Sequence, residues 1–106
     1  GHNVGTGFKS LMSNTTGGCN TATGSFALNT NATGKNNTAH GYSALLYNTT
    51  ASKNAAVGAC ALYDNTTGTL NTAIGNETLV NNTTGGYNRH GAYNNNSISE
   101  PLVIII

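Results

Sequence analysis

Charged residues are scarce in this sequence. The chain has 106 residues, with four basic and three acidic side chains and a formal net charge of +1. They are Lys9, Lys35, Lys53, Arg89, Asp64, Glu77 and Glu100. Binding to a phosphate backbone calls for a basic patch or stripe, and these scattered residues form neither. We therefore expect no nucleic acid partner.

Large apolar residues are also few. Leu, Ile, Val and Phe together number 19, a share that overlaps with disordered segments. The low net charge and the strict register of the apolar residues nevertheless favour a folded chain. No apolar run approaches the roughly 20 residues that a membrane-spanning helix needs, and the N-terminus has no basic region followed by a hydrophobic one. The sequence thus predicts no membrane span.

Groupings that could support catalysis or metal binding are missing. The three histidines, His2, His40 and His90, do not recur with the pattern of the chain, and no His, Cys, Asp or Glu set has metal-ligand spacing. No nucleophile is accompanied by a base and an orienting acid. We predict a protein that is not an enzyme, with no cofactor and no metal.

What the sequence does have is a repeat of 17 residues. The segment NTAIGNETLVNNTTGGY, residues 71–87, is preceded by four similar segments that abut without insertion, at residues 3–19, 20–36, 37–53 and 54–70. We call these segments coils 1 to 5 and number the positions in each from 1 to 17. Asn occupies positions 1 and 12, Gly position 5, Leu position 9 and Thr position 14 in every coil. A fixed period of this kind indicates a repeat architecture.

The repeat predicts an all-β fold, a β-solenoid (β-roll) of stacked coils. Seventeen residues with two strand-like stretches are too few for a pair of helices, and the Asn, Thr and Gly content disfavours helix. Equal spacing stacks identical residues in columns. We expect the position 9 leucines to form an apolar column beside small residues, and the asparagines to form hydrogen-bonded ladders. Turns are expected near position 15, and Ala51 there argues against a required positive φ.

The two cysteines lie in different positions of coils 1 and 4. At about 4.8 Å for each layer, Cys19 and Cys60 are separated by two to three layers, which is too far for a disulfide. We expect two free, buried or half-buried thiols, and the alternative is a disulfide between subunits.

A single coil buries little apolar surface. One Leu and a few small residues hardly offset about 1–2 kcal/mol of backbone ordering per residue. We therefore expect an oligomer in which the bulky residues at positions 6 and 10, joined by Val57 and Ile74, are buried against sister chains, most simply in a parallel homotrimer. The bulky residues at positions 6 and 10 are Phe8, Met12, Tyr42, Leu46, Tyr63 and Val80.

The two ends of the chain depart from the repeat. We divide the chain into a five-coil solenoid at 3–87, an irregular partial sixth coil or cap at 88–97 and an apolar C-terminal strand at 98–106. The strand ends in the predicted assembly residues Leu102, Val103, Ile104, Ile105 and Ile106. This apolar end would aggregate if it were exposed, so it either begins a further domain or docks on its own or a neighbouring subunit. Docking on the open edge of coil 1 would join chains head to tail in a filament.

Each coil also contains an Asn-x-Thr sequon at positions 12 to 14. Three interpretations stay open: a buried Asn ladder with Thr lining a strand, glycosylation of the Asn, or a flat Asn and Thr grid that binds carbohydrate or ice. If the segment is a strand, both side chains point the same way. The residues are Asn14, Asn31, Asn48, Asn65, Asn82, Thr16, Thr33, Thr50, Thr67 and Thr84.

In its NTAIG and ALYDNTTG motifs and its 17-residue spacing, the chain resembles the repeats of bacterial and phage tail-fibre proteins. It resembles the head repeats of trimeric autotransporter adhesins more loosely. The resemblance covers residues 3–87 and implies a trimeric β-roll on a cell or virion surface. It points to a structural module of an extracellular fibre or filament, serving as shaft, surface coat or adhesin head. These 106 residues themselves contain no sequence that we interpret as a coiled-coil stalk, a membrane anchor or a self-cleaving chaperone domain.

Overall fold

The structure, a computed structural model, describes residues 1–90. This part of the chain contains no helix and six short strands, which form one parallel sheet in the order of the sequence. The strands are β1 Val4–Thr6, β2 Thr21–Thr23, β3 Thr38–His40, β4 Ala55–Val57, β5 Thr72–Ile74 and β6 Arg89–His90. The fold is a β-solenoid of about five turns, as the repeat predicts.

The register of the sheet equals the period of the sequence. Ala22 of β2 pairs with Ala39 of β3, which lies beside Ala56 of β4, and each step is one coil of 17 residues. Backbone bonds between coils continue outside the strands, as in the bond from the Leu28 N–H to the Ala44 carbonyl at 3.0 Å. Identical positions therefore stack along one axis.

The core is one leucine wide. Leu28, Leu45, Leu62 and Leu79 have no exposed surface, and Leu11 at the first coil is partly buried against them. The alanines of positions 3 and 8 fill the remaining interior, and those of coils 2 to 4 are fully buried. The walls of the coil lie close together at these positions, so the space suits a side chain as small as Ala. The predicted column of leucines and small residues is confirmed.

The second strand-like stretch of each coil is made of turns. In coil 2, the N–H groups of Ala27, Asn29 and Asn31 each donate to the carbonyl three residues earlier, at 3.2 Å. Phe26 and Leu28 have positive φ of 65° and 51°, which is incompatible with a strand. Our expectation of two strands per coil is thus wrong for the described residues: each of the five full coils has one strand of three residues and a run of turns over positions 5 to 11.

Positive φ falls at positions 5, 7, 9 and 17 of the coil and not at position 15. The absence at position 15 agrees with the inference from Ala51. Position 5 is different, because Gly41 has φ 139° and a Cβ there would lie 2.6 Å from the Gly58 carbonyl oxygen of the next coil. Glycine is required at position 5 by both backbone conformation and space.

A sixth coil begins as the sequence predicts. Asn88 continues the position 1 column, and β6 pairs with β5. His90 then takes the interior position that is Ala in coils 2 to 5; it is buried, and neither ring nitrogen has a partner among residues 1–90. The remainder of the predicted cap at 88–97 and the whole predicted strand at 98–106 lie outside the described residues.

We predict that Gly41→Ala lowers the free energy of unfolding by about 1–3 kcal/mol from backbone strain alone. The close approach of the Gly58 carbonyl adds to this loss. Thr38→Ala is the matched control in the same coil, because Thr38 is exposed and coil 4 already has Ala at that position; its effect should stay within about 0.5 kcal/mol. Urea unfolding followed by circular dichroism measures both. Equal stability of the two variants would contradict the requirement for glycine.

Candidate functional site

The asparagines of position 12 form a ladder inside the solenoid. The Asn31 Nδ2 donates to Asn14 Oδ1 at 2.8 Å, Asn48 Nδ2 to Asn31 Oδ1 at 2.8 Å and Asn65 Nδ2 to Asn48 Oδ1 at 3.1 Å. Asn82 continues the series on Asn65 at 2.8 Å. All of these side chains except that of Asn14 are buried. The ladder interpretation describes the geometry of this column.

A second ladder runs along position 1. The Oδ1 of Asn20 accepts from the backbone N–H of Asn37 at 3.0 Å and from its Nδ2 at 3.1 Å. The two ladders meet at the carbonyl of position 15: in coil 3 the Ala51 oxygen accepts from Asn37 Nδ2 and from Asn48 Nδ2, both at 2.9 Å. The same pair of bonds converges on Gly17, Gly34, Gly68 and Gly85 in the other coils.

The ladder and glycosylation compete for the same nitrogen. Asn48 Nδ2 donates both of its hydrogens, one to Asn31 and one to Ala51, while its side chain has no exposed surface. A glycan on this nitrogen would replace a hydrogen that the stack uses and would have no path to solvent. The buried amides at position 12 therefore favour the ladder over glycosylation in the folded coil.

The threonines of position 14 point away from the ladder. All five, namely Thr16, Thr33, Thr50, Thr67 and Thr84, are exposed. The expectation that Asn and Thr share a strand face is wrong, because this segment bends instead of alternating as a strand does. What remains is a column of threonines repeated once per coil on the outer surface.

A third feature, which we call the aromatic face, is the outer surface of positions 6, 7, 10 and 11. It holds five of the six aromatic side chains among residues 1–90: Phe8, Phe26, Tyr42, Tyr47 and Tyr63. Phe26 makes edge-to-face contacts with Phe8 at 5.7 Å and Tyr42 at 6.0 Å between ring centroids. Of the residues expected to be buried against sister chains, Phe8, Met12 and Tyr42 are 56–63 % exposed in the single chain.

Leu46, Tyr63 and Val80 on the same face are half-buried, while Val57 and Ile74 are exposed on the neighbouring strand surface. Sequence reasoning identified positions 6 and 10 but missed positions 7 and 11. Position 7 supplies Lys9, Cys60 and Glu77, and position 11 supplies Tyr47 and Asp64. The variation of residue type at positions 6 and 7, which are adjacent, could have indicated that both belong to one exposed face.

The aromatic face contains an open groove of about 380 Å³. Its lining residues are Tyr42, Ser43, Cys60, Tyr63, Glu77 and Val80. Burial, and secondarily the negative charge of Glu77, raises the pKa of the Cys60 thiol. Burial and the neighbouring Tyr47 raise the pKa of Tyr63. The thiol and the phenol thus stay protonated at neutral pH, and the Glu77 carboxylate is the one anionic group of the lining.

The remaining candidate residues are dispersed. Both thiols are free; Cys60 is half-buried as expected, whereas Cys19 is exposed on another edge of the coil, contrary to our expectation. Within residues 1–90 there is no group of three His, Cys, Asp or Glu side chains fit to hold a metal. No helix in this part of the chain has the length and apolar character needed to cross a membrane. The predicted assembly residues 102–106 lie outside the described residues.

Comparison with known proteins returned no match. Neither a family model, nor a curated protein, nor a solved structure matches the chain.

We predict that Asn48→Ala destabilises the fold by about 2–4 kcal/mol, because it removes the one donor to the buried Asn31 Oδ1 among residues 1–90 and the ladder acceptor of Asn65. Asn14→Ala is the matched control at the first coil. Asn14→Ala also removes a ladder acceptor, that of Asn31, but Asn14 is partly exposed, so water takes the place of the lost group and the loss should be about 1 kcal/mol. Urea unfolding of both variants measures the difference. Similar losses of unfolding free energy at the two sites would contradict the inference that the buried part of the ladder stabilises the fold.

Proposed function

We propose that this chain is a non-enzymatic structural module of an extracellular fibre or filament, acting as a rigid shaft, surface coat or adhesin head. The observation that carries the proposal is the uninterrupted stacking of five equal coils. In a stacked repeat, each unit contacts only its neighbours. Stacking of equal units therefore produces a rod with a regular outer surface.

The bonds between coils make that rod stiff. Every interface between neighbouring full coils contains a parallel strand pair, two Asn ladders and adjoining leucines. The strand pair involves positions 2 to 4, the leucine is at position 9, and the two ladders converge on the position 15 carbonyl. Bending the axis toward any side compresses some of them and stretches others, so the contacts resist bending together.

The distribution of residue types supports a role for the outside of the rod. The interior repeats the same few residues, whereas the outer positions 6, 7, 10, 11 and 17 vary from coil to coil. Attachment needs such an exposed, varied surface on a stable scaffold and needs no reacting group. The resemblance to tail-fibre and adhesin repeats supports a location on a cell or virion surface.

We predict elongated particles or filaments when the purified protein is imaged by negative-stain electron microscopy at several concentrations. Axial diffraction near 4.8 Å should accompany them, because this is the spacing of stacked strands. Gly41→Ala, which strains the stack, is the control and should reduce the fraction of elongated particles. Compact particles of single-chain size at every concentration would contradict the proposal.

A second candidate function, binding of carbohydrate or ice, is favoured by the exposed threonine column. The five hydroxyl and methyl groups repeat at the coil spacing, about 4.8 Å, and are not part of the buried ladder. A repeating ligand surface could meet such a column at several points at once.

Replacement of Thr33, Thr50 and Thr67 by Tyr should then abolish binding to a glycan array or thermal hysteresis in ice, because the larger rings break the regular spacing. The matched control makes the same replacement by Tyr at Thr21, Thr38 and Thr72. These residues are also exposed, but they lie in the strands, at position 2 of the coil. The circular dichroism of both variants should match that of the unaltered chain. Equal binding by both variants would reject the threonine column as the ligand surface.

A further inference from the structure

The aromatic face has opposite charges at its two ends. Its only cation is Lys9 in coil 1, while its anions are Asp64 in coil 4 and Glu77 in coil 5. Coils 2 and 3 contribute no charged residue to positions 6, 7, 10 and 11. Because Lys9 and Glu77 occupy the same position four coils apart, they lie about 19 Å from each other along the axis.

The groove at the anionic end has the chemistry of a lysine site. Tyr42, Tyr63 and Val80 offer apolar and aromatic surface to a methylene stem, and Glu77 supplies a carboxylate for an ammonium group. Lys9 already lies over an aromatic ring, with its Nζ 5.2 Å from the Phe8 centroid. Its ammonium therefore favours the type of surface that the groove presents.

We propose that the aromatic face binds a second copy of this chain in antiparallel orientation, with Lys9 of each copy in the groove of the other. A two-fold axis between coils 2 and 3 brings coil 1 of one copy opposite coil 4 of the second and creates both lysine contacts at once. Phe26 and Tyr42 lie next to this axis, in contact with each other. Their exposed edges pack against the same residues of the second copy.

The charges select this orientation over the parallel trimer that the resemblance implies. In a parallel assembly through this face, each Lys9 meets another Lys9 and each Glu77 another Glu77, and like charges in contact oppose association. The antiparallel pair instead places each Lys9 at the end of the other copy that holds Asp64 and Glu77. The inference goes beyond the proposed function, since chains joined only end to end would also form a fibre.

The test measures the mass of the 106-residue chain and its assemblies by equilibrium sedimentation over a range of concentrations, at low salt. We expect a dimer whose dissociation constant increases about tenfold or more in Lys9→Glu and is restored toward the original value in the double variant Lys9→Glu/Glu77→Lys. Lys35→Glu is the matched control, since Lys35 is exposed outside the aromatic face; it should leave the dimer unchanged. A monomer at all concentrations, a trimer, or a dimer insensitive to Lys9→Glu would overturn the proposal.

Orientation is tested separately by disulfide trapping. In a background of Cys19→Ser and Cys60→Ser, chains with Phe8→Cys are mixed with chains with Ala59→Cys, which places the new thiols at position 6 of coils 1 and 4. An antiparallel pair gives mixed cross-links, whereas predominant joining of like chains indicates a parallel assembly and would overturn the inference. Circular dichroism of each variant confirms that the solenoid is folded.

Discussion

A buried amide side chain has to satisfy two donor hydrogens and an acceptor oxygen, and this requirement governs the whole stack. In coil 3, Asn48 meets it by bonding Asn31 above, Asn65 below and the Ala51 carbonyl within its own coil. The neighbouring coils supply the matching donor and acceptor only if each has Asn at the same position of the coil. The insertion of one residue in a single coil would leave several buried polar groups without partners, which explains why the interior asparagines and the period are both without exception.

Backbone bonds between coils also stabilise conformations that would otherwise be costly. Each full coil has three residues other than Gly with positive φ, and such conformations cost about 1–2 kcal/mol each. Leu45, with φ 53°, accepts this strain because the turn places its side chain in the sealed core and its N–H within 3.0 Å of the Ala61 carbonyl in the next coil. Bonds between coils, repeated along the axis, thus hold a turn sequence that a single coil would not maintain.

The sequence predicted the columns better than the path of the chain between them. The leucine core, the Asn ladders and the absence of positive φ at position 15 follow from residue identity at fixed spacing. The single strand of three residues was not foreseen, because Phe26, Cys60 and Glu77 have left-handed backbone that their residue types do not favour. The error about Asn and Thr has the same origin: alternation holds only in an extended strand, and the chain bends between Asn48 and Thr50. Positions 7 and 11 of the aromatic face were missed because the residues at each position share no chemical type.

This division between constant and variable positions indicates where function resides. A side chain inside the solenoid has to match its counterparts in the neighbouring coils, so the interior has no freedom to encode anything beyond the stack. Outside, Lys9 and Glu77 occupy the same position with opposite charge at the two ends of one face, without any cost to the ladders. A periodic scaffold can therefore carry a surface with a direction along its axis. It is that direction, and not the repeat itself, which allows one copy to distinguish the two orientations of another.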